Sequence, residues 1–274
     1  MTLRYQALPS VDAYGDIFKV TPPEGPGERH VKPRKTGFMV RAVPAPPAPT
    51  APTAEEGPAH DAAPPNDAQV RDTLAAAATA KSVEAEPHTT GAAPLVRELV
   101  AAQWGLVPHW VKSASDGRLR APKLVNAYCD TVSTGTAFRD AWLNGQRCIV
   151  PMQSFYEDDW RSGKAVPTRI SRVDGAPMGV AGIWALWTGP GGDEPVLSFA
   201  LLTVNANAHA LLNRYGQPGS DKRMPVILAE GAHSAWLTTP AAKAKEFLRA
   251  YPAQSLTANP VETKADKVPK GWMG

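Results

Sequence analysis

Nowhere in the 274 residues does an apolar run approach the roughly 18 residues that a membrane-spanning helix needs, and the opening MTLRYQALPS has no apolar stretch of the signal-peptide kind. A soluble, cytoplasmic protein without a membrane partner is the expectation. Cysteine is scarce: Cys129 and Cys148 are the whole complement, and both fall in strand-like segments, where a reduced thiol packs as a small hydrophobe. The six histidines, at 30, 60, 88, 109, 209 and 233, show no metal-ligand spacing with one another or with the cysteines, so no metal is expected. The one glycine-dense run, Gly189-Pro190-Gly191-Gly192, lacks the Lys-Ser/Thr ending of a phosphate loop and reads as a hairpin turn. No small-molecule cofactor is implied. A formal charge of +3 is too small to identify a polyanionic partner unless the cations share one surface.

Proline, by contrast, is abundant, with 28 residues, about twice the usual share. Many lie between Val43 and Gly91, a Pro, Ala and Thr-rich stretch without an aromatic residue or isoleucine. Such a segment buries too little apolar area to offset its ordering entropy and reads as a disordered or extended insert. The 42 residues before it are too few to fold alone. A single domain over 1–274, with an insert at about 43–91, is therefore predicted.

Outside the insert, β-branched and apolar runs predict strands at Leu99–Leu106, Arg147–Tyr156, Thr168–Val173, Met178–Trp187, Val196–Val204 and Arg223–Leu228. Asp174-Gly175 and Gly189 to Gly192 would link three of these as consecutive antiparallel strands. Short helices are predicted at Val11–Phe18, Ala137–Leu143 and Ala206–Asn213, and a longer one after the Thr239-Pro240 cap. The fold class is α+β, with a predominantly antiparallel, barrel-like sheet and a few short helices. In Gln153-Ser154-Phe155-Tyr156-Glu157-Asp158-Asp159-Trp160, alternation turns Glu157 and Asp159 to one face and Asp158 to the other. Those carboxylates are either a solvated strand end or the source of a general acid or base.

Five segments in order resemble the SOS response-associated peptidase family, also described as abasic-site processing proteins. Met1-Thr2-Leu3-Arg4-Tyr5 resembles the family's Met-Cys-x-Arg-Phe/Tyr, and Trp104-Gly105-Leu106-Val107-Pro108-His109-Trp110 its Trp-Gly-Leu-x-Pro-x-Trp. Asn126-Ala127-Tyr128-Cys129-Asp130-Thr131 is similar to Asn-Ala-Arg-x-Glu-Thr. Arg147-Cys148-Ile149-Val150-Pro151 with Phe155-Tyr156-Glu157 resembles Arg-Cys-Ile/Leu-x-Pro-x-x-x-Phe/Tyr-x-Glu, followed by a strand similar to Gly179–Trp184. Leu202-Thr203, then Arg223-Met224-Pro225-Val226-Ile227-Leu228, resembles the closing strands. Nearly everything outside the insert is covered.

The resemblance implies a monomer acting on single-stranded DNA that carries abasic sites. In the family, removal of Met1 exposes a cysteine whose α-amine attacks the ring-opened sugar aldehyde and whose thiol closes a thiazolidine. An α-amine with a pKa near 8 is roughly 10% neutral at pH 7, which makes it a better Schiff-base nucleophile than lysine. Carried over residue by residue, Thr2 holds the nucleophile's place, Glu157 the acid/base's and Asn126 that of the group orienting the sugar. Arg4, Trp110, Thr203 and Arg223 become DNA contacts, although each also has an ordinary structural reading. Four positions depart from the family: Thr2 for cysteine, Gly216 for a histidine, Tyr128 for arginine and Asp130 for glutamate. A hydroxyl is far less acidic than a thiol, so a reversible imine is expected in place of a durable crosslink. Two other readings stay open: a non-catalytic module binding single-stranded or damaged DNA, and a peptidase in the literal sense.

Overall fold

The computed structural model describes residues 2–25, 27–43, 95–190 and 193–261; apart from Val43, the insert predicted from sequence lies outside them. Its first half contains β1 (Tyr5–Gln6), α1 (Asp12–Phe18), β2 (His30–Val31), β3 (Thr36–Val43), β4 (Val96–Trp104), α2 (Ala114–Arg120), β5 (Asn126–Tyr128) and α3 (Arg139–Leu143). Then follow β6 (Arg147–Met152), β7 (Ser154–Asp159), β8 (Val166–Arg172), β9 (Met178–Trp187) and β10 (Val196–Asn205). The chain closes with β11 (Arg223–Pro225), β12 (Ile227–Leu228), α4 (His233–Thr238), α5 (Ala241–Ala244) and β13 (Leu256–Pro260).

The class is α+β, and the strands form two sheets. One has the order β13-β8-β7-β1-β2. In the other, β10, β4, β3, β6 and β9 follow one another and β9 pairs back onto β10, which makes a closed ring. Closure removes unpaired edges from the centre of the molecule. The pairings of β10 with β4 and β5 are parallel, and the other strand pairings among the described residues are antiparallel.

Two predicted strands and one predicted hairpin are rearranged. The apolar run Arg147–Tyr156 is two strands, because the chain leaves the ring after Met152 and joins the other sheet at Ser154, with Gln153 N–H donating to the Gln6 carbonyl. Arg223–Leu228 likewise changes partner at Val226, from β10 to β9. Asp174-Gly175 does not make a hairpin: β8 pairs with β7 and β13, whereas β9 pairs with β6, β10 and β12. Of the predicted helices, Ala206–Asn213 shrinks to a 3-10 turn at Leu212–Arg214, and α4 was not foreseen.

Along β6 and most of β9 and β10 both faces of the ring are covered, which explains why these three strands read as nearly continuous apolar runs. Period-two alternation sends Cys148, Val150, Val180 and Phe199 into one cluster, with Tyr5, Phe155 and Ile170 of the other sheet. The intervening Ile149, Ala181, Ile183 and Ala200 join Tyr14, Phe18, Trp142 and Trp236 from the helices. Trp104, Trp187 and Trp236 are fully buried, and their indole N–H groups donate to the carbonyls of Val125, Val111 and Cys148. Cys129 and Cys148 are buried and unbridged, and burial pushes the Cys129 thiol up to about 12, far from a reactive thiolate.

The segment between β3 and β4 leaves and re-enters at adjacent points, because Val43 and Val96 are register partners. Replacing Pro46–Thr90 by a short glycine-rich turn should therefore leave the melting temperature nearly unchanged, since loop length enters closure entropy only logarithmically. A fall of more than a few degrees in thermal denaturation would mean that the insert packs on the domain.

Candidate active site

The amino-terminal segment enters the protein interior before β1. The Tyr156 N–H donates to the Arg4 carbonyl at 3.0 Å, which extends the β1–β7 ladder toward the chain start. Residue 2 is thereby carried alongside Glu157. Thr2 is buried, and its Oγ1 donates to Glu157 Oε1 at 2.6 Å. From the opposite side, Asn126 Nδ2 donates to the Thr2 carbonyl at 2.8 Å. Asn126 is positioned by short, rigid structure: β5 pairs with β10 through Leu201, and the carbonyl of the preceding Val125 accepts both Trp104 Nε1 and the Leu201 N–H. Three residues more than 120 positions apart at the extremes are thus joined by two hydrogen bonds.

Asn126 Oδ1 is buried and meets no donor. A buried acceptor without a partner costs about 1–3 kcal/mol, and such groups persist in native proteins chiefly where a water or ligand meets them. Burial raises the Glu157 carboxyl above its ordinary 4.5, with the Thr2 bond acting in the other direction. The folded protein therefore holds this proton to higher pH than the unfolded chain does. Stability from this group is complete below the ordinary carboxylate range and is lost as pH rises through the raised value. Glu157→Gln, which has no proton to lose, should melt progressively higher than the parent as pH rises above the ordinary carboxylate range. A difference that stays constant or shrinks over that rise in thermal scans would contradict the burial argument.

Above Glu157 opens a cavity of about 450 Å³, a size typical of ligand sites. Leu3, Arg4, Tyr128, Tyr156, Asp158 and Gly216 line it, with Trp160 and the 217–221 loop on the rim. Glu157 lines this cavity, whereas the buried Thr2 and Asn126 do not. Asp158 lines it too, although strand alternation points it away from Glu157. Tyr156 and Asp221 had no sequence signal of their own; Tyr156 enters because it carries Arg4, whose guanidinium lies 3.8 Å from its ring centre.

The remaining predicted site residues separate. Arg223 is held by Asp130 and Asp221 and lies 4.1 Å above the ring of Tyr128. The two positions where the sequence departs from the family's Arg and Glu, Tyr128 and Asp130, are thus the ones that grip this arginine. Trp110 is 38% exposed and donates to the Thr136 carbonyl, outside the cavity lining. Thr203 is fully buried, and its hydroxyl faces the Ala127 carbonyl at 3.4 Å, so its side chain belongs to the core and is outside the cavity lining. Gly216 has φ of +80°, a region favouring glycine, and its N–H donates to the Asp158 carbonyl. The cavity lining contains no histidine. His209 is engaged locally, with Nε2 on the Tyr251 carbonyl and Nδ1 accepting the N–H groups of Leu211 and Leu212.

Compared with known proteins, residues 46–268 match the sequence profile of the SOS response associated peptidase (SRAP) family. The chain belongs to the SOS response associated peptidase family. This SRAP match starts after β3 and so includes neither Thr2 nor Arg4. Among curated relatives, the abasic site processing protein HMCES of Gallus gallus is 27% identical over 194 residues, covering 63% of this chain and 55% of that protein. Abasic site processing protein YoaM of Bacillus subtilis is 30% identical over 179 residues, covering 60% of this chain and 72% of its own. The chain thus spans little more than half the length of the chicken SRAP relative. A crystal structure of a protein from Bordetella bronchiseptica superimposes with a TM-score of 0.72 at 31% identity, over 95% of this chain and all of that one. A second, from Bacteroides thetaiotaomicron, gives 0.56 at 25% identity over 64% of this chain and 74% of its own.

Proposed function

We propose that this SRAP-family chain processes abasic sites in single-stranded DNA, through an imine formed by the α-amine of residue 2. The observation that carries the reading is the convergence of residue 2, Asn126 and Glu157, held together by the 2.6 Å and 2.8 Å bonds. Removal of Met1 frees the Thr2 amine. Its nitrogen lone pair attacks the aldehyde carbon of the ring-opened sugar, and the carbinolamine then loses its hydroxyl as water to leave the imine. Glu157, lifted toward protonation by burial, supplies the proton that this hydroxyl needs to depart. Asn126 fixes the Thr2 carbonyl and hence the direction of the neighbouring amine. The Thr2 hydroxyl can add to the imine carbon, but the resulting oxygen ring reopens easily, so the adduct stays reversible.

The burial of Thr2 outside the cavity lining favours a second reading, a binding module without covalent chemistry. One experiment separates the two. Incubating the protein, with Met1 shown by mass spectrometry to be removed, with an abasic single-stranded oligonucleotide and borohydride should yield a product of protein-plus-oligonucleotide mass. The untreated complex should dissociate on denaturation. Salt-sensitive binding with no trapped product would leave the binding module as the function.

A further inference from the structure

Among the described residues, the cavity above Glu157 is lined by three carboxyl groups, Glu157, Asp158 and Asp221, and one guanidinium, Arg4. Arg223 holds Asp221 and burial shifts Glu157 toward its neutral form, so Asp158 stands against Arg4 and no surplus of cations awaits phosphates. An abasic sugar is neutral and needs no such surplus, whereas the phosphates on either side of it do. A second cleft, of about 340 Å³, shares Arg4 and Tyr156 with the cavity and has the opposite character. Arg29, Arg169 and His30 line it together with Arg4, and among the described residues no carboxylate does.

The arrangement follows from the register of the five-stranded sheet. Tyr156 pairs with Arg169, and Arg169 with Asn259, while the Arg4 carbonyl accepts the Tyr156 N–H on the other side. Arg4, Tyr156, Arg169 and Asn259 thus form one row across neighbouring strands, spaced about 4.8 Å apart. His30, beside Gln6 on β2, closes the end, its ring 5.9 Å from that of Tyr156. Arg29 and Arg169 are exposed. Among the described residues, neither they nor Arg4 has a carboxylate within ion-pair distance, in contrast to Arg161, Arg172 and Arg223, which do. Burial, followed by the charges of Arg4, Arg29 and Lys32, lowers the pKa of His30, as expected where positive potential gathers.

We infer that the cleft between Arg29 and Arg169 is a phosphate track, which holds the sugar-phosphate backbone of a single strand on one side of the abasic sugar. The strand leaves the cavity over Arg4 and Tyr156, then crosses the sheet perpendicular to its strands. This inference rests on the reading of the cavity as a site for abasic single-stranded DNA. It adds a direction: one arm of the oligonucleotide is held by arginines on this sheet and the other is not.

Two oligonucleotides test it, with the abasic site at the 5′ end of one and at the 3′ end of the other, each binding curve measured against salt. In Arg29→Ala/Arg169→Ala, affinity for one polarity should fall about tenfold at low salt. Its salt slope should fall by roughly 1.4, from two lost single-strand phosphate contacts at about 0.7 each. The Arg29→Lys/Arg169→Lys protein should recover most of both, which separates charge from folding. If the alanine variant keeps the parent's slope for both polarities while the parent still yields a borohydride-trapped imine, the track is wrong and the function stands. If the parent neither binds nor traps either oligonucleotide, both fall. If millimolar inorganic phosphate removes the difference between polarities at constant ionic strength, the cleft is a simple anion site and the track is overturned.

Discussion

Thr2→Cys should turn a complex that falls apart on denaturation into one that survives it, the largest functional change expected of any single substitution here. The side chain at residue 2 already lies 2.6 Å from Glu157, and its carbonyl is fixed by Asn126, so a thiol there is delivered next to the same imine carbon. Sulfur adds more readily than a hydroxyl, because a cysteine is a few per cent thiolate at pH 7 while threonine is essentially never ionised. The two side chains are close in volume, so the fold should accept the change. Denaturing electrophoresis with abasic single-stranded DNA should show a retarded band without borohydride, and Glu157→Gln in the same background should slow its appearance. No adduct from a protein with Met1 demonstrably removed would mean that the pocket cannot bring residue 2 to a sugar. A Cβ at Gly216 would meet Ser220 and Lys222 at ordinary contact, 3.7–3.9 Å, but at φ of +80° Gly216→His carries a strain of about 1 kcal/mol. Asp221 lines the same cavity without a positive φ, but Asp221→His gives up the bonds from Asn205 and Asn207 and one of the two carboxylates on Arg223.

Gly105→Ala should be the most destabilising conservative change near the site. Gly105 has φ of +120°, and an added Cβ would lie 2.5 Å from the Ala121 carbonyl oxygen, a backbone atom that cannot swing aside. Backbone strain and overpacking each cost about 1–3 kcal/mol, so a loss of roughly 3 kcal/mol or more is expected. For a domain of this size that is on the order of a 10 °C fall in melting temperature. The effect should extend to the chemistry. Leu106 N–H donates to the Leu124 carbonyl and Trp104 Nε1 to that of Val125, so residues 104–106 hold the turn that delivers Asn126. Imine trapping by the variant, assayed well below its melting temperature, should therefore be slower. A variant that melts within about 2 °C of the parent would show that the Ala121 turn yields easily.

Arg147–Met152 and Met178–Trp187 were legible as strands because each is an apolar run buried on both faces, which leaves a signal inside a short window. The association of Asn126 and Glu157 was legible only through resemblance to a family, since no local pattern relates residues that far apart. The jump at Gln153 from one sheet to the other was not legible, because a continuous apolar run is equally consistent with one long strand or two short ones. The strand Thr36–Val43 was missed for a related reason: its partners lie far along the chain, in Val96–Gln103 beyond the insert and at Ile149 and Cys148 of β6.

Charge pairing shows the same division. Composition records the arginines and aspartates, yet only the fold places Asp130 and Asp221 on Arg223 while, among the described residues, Arg29 and Arg169 have no carboxylate partner. The sequence by itself determined the local quantities: which runs are apolar enough to be strands, where turns interrupt them and which residue types stand in the family's motifs. The tertiary structure decided which strands pair, that Thr2 meets Glu157 and Asn126, that Thr203 lies in the core, and which guanidiniums face an open cleft. The reason is that period-two burial and turn propensity act over a few residues. Strand pairing, desolvation and ion pairing depend on distances in space, and the closing of the ring and the second sheet is what sets those distances.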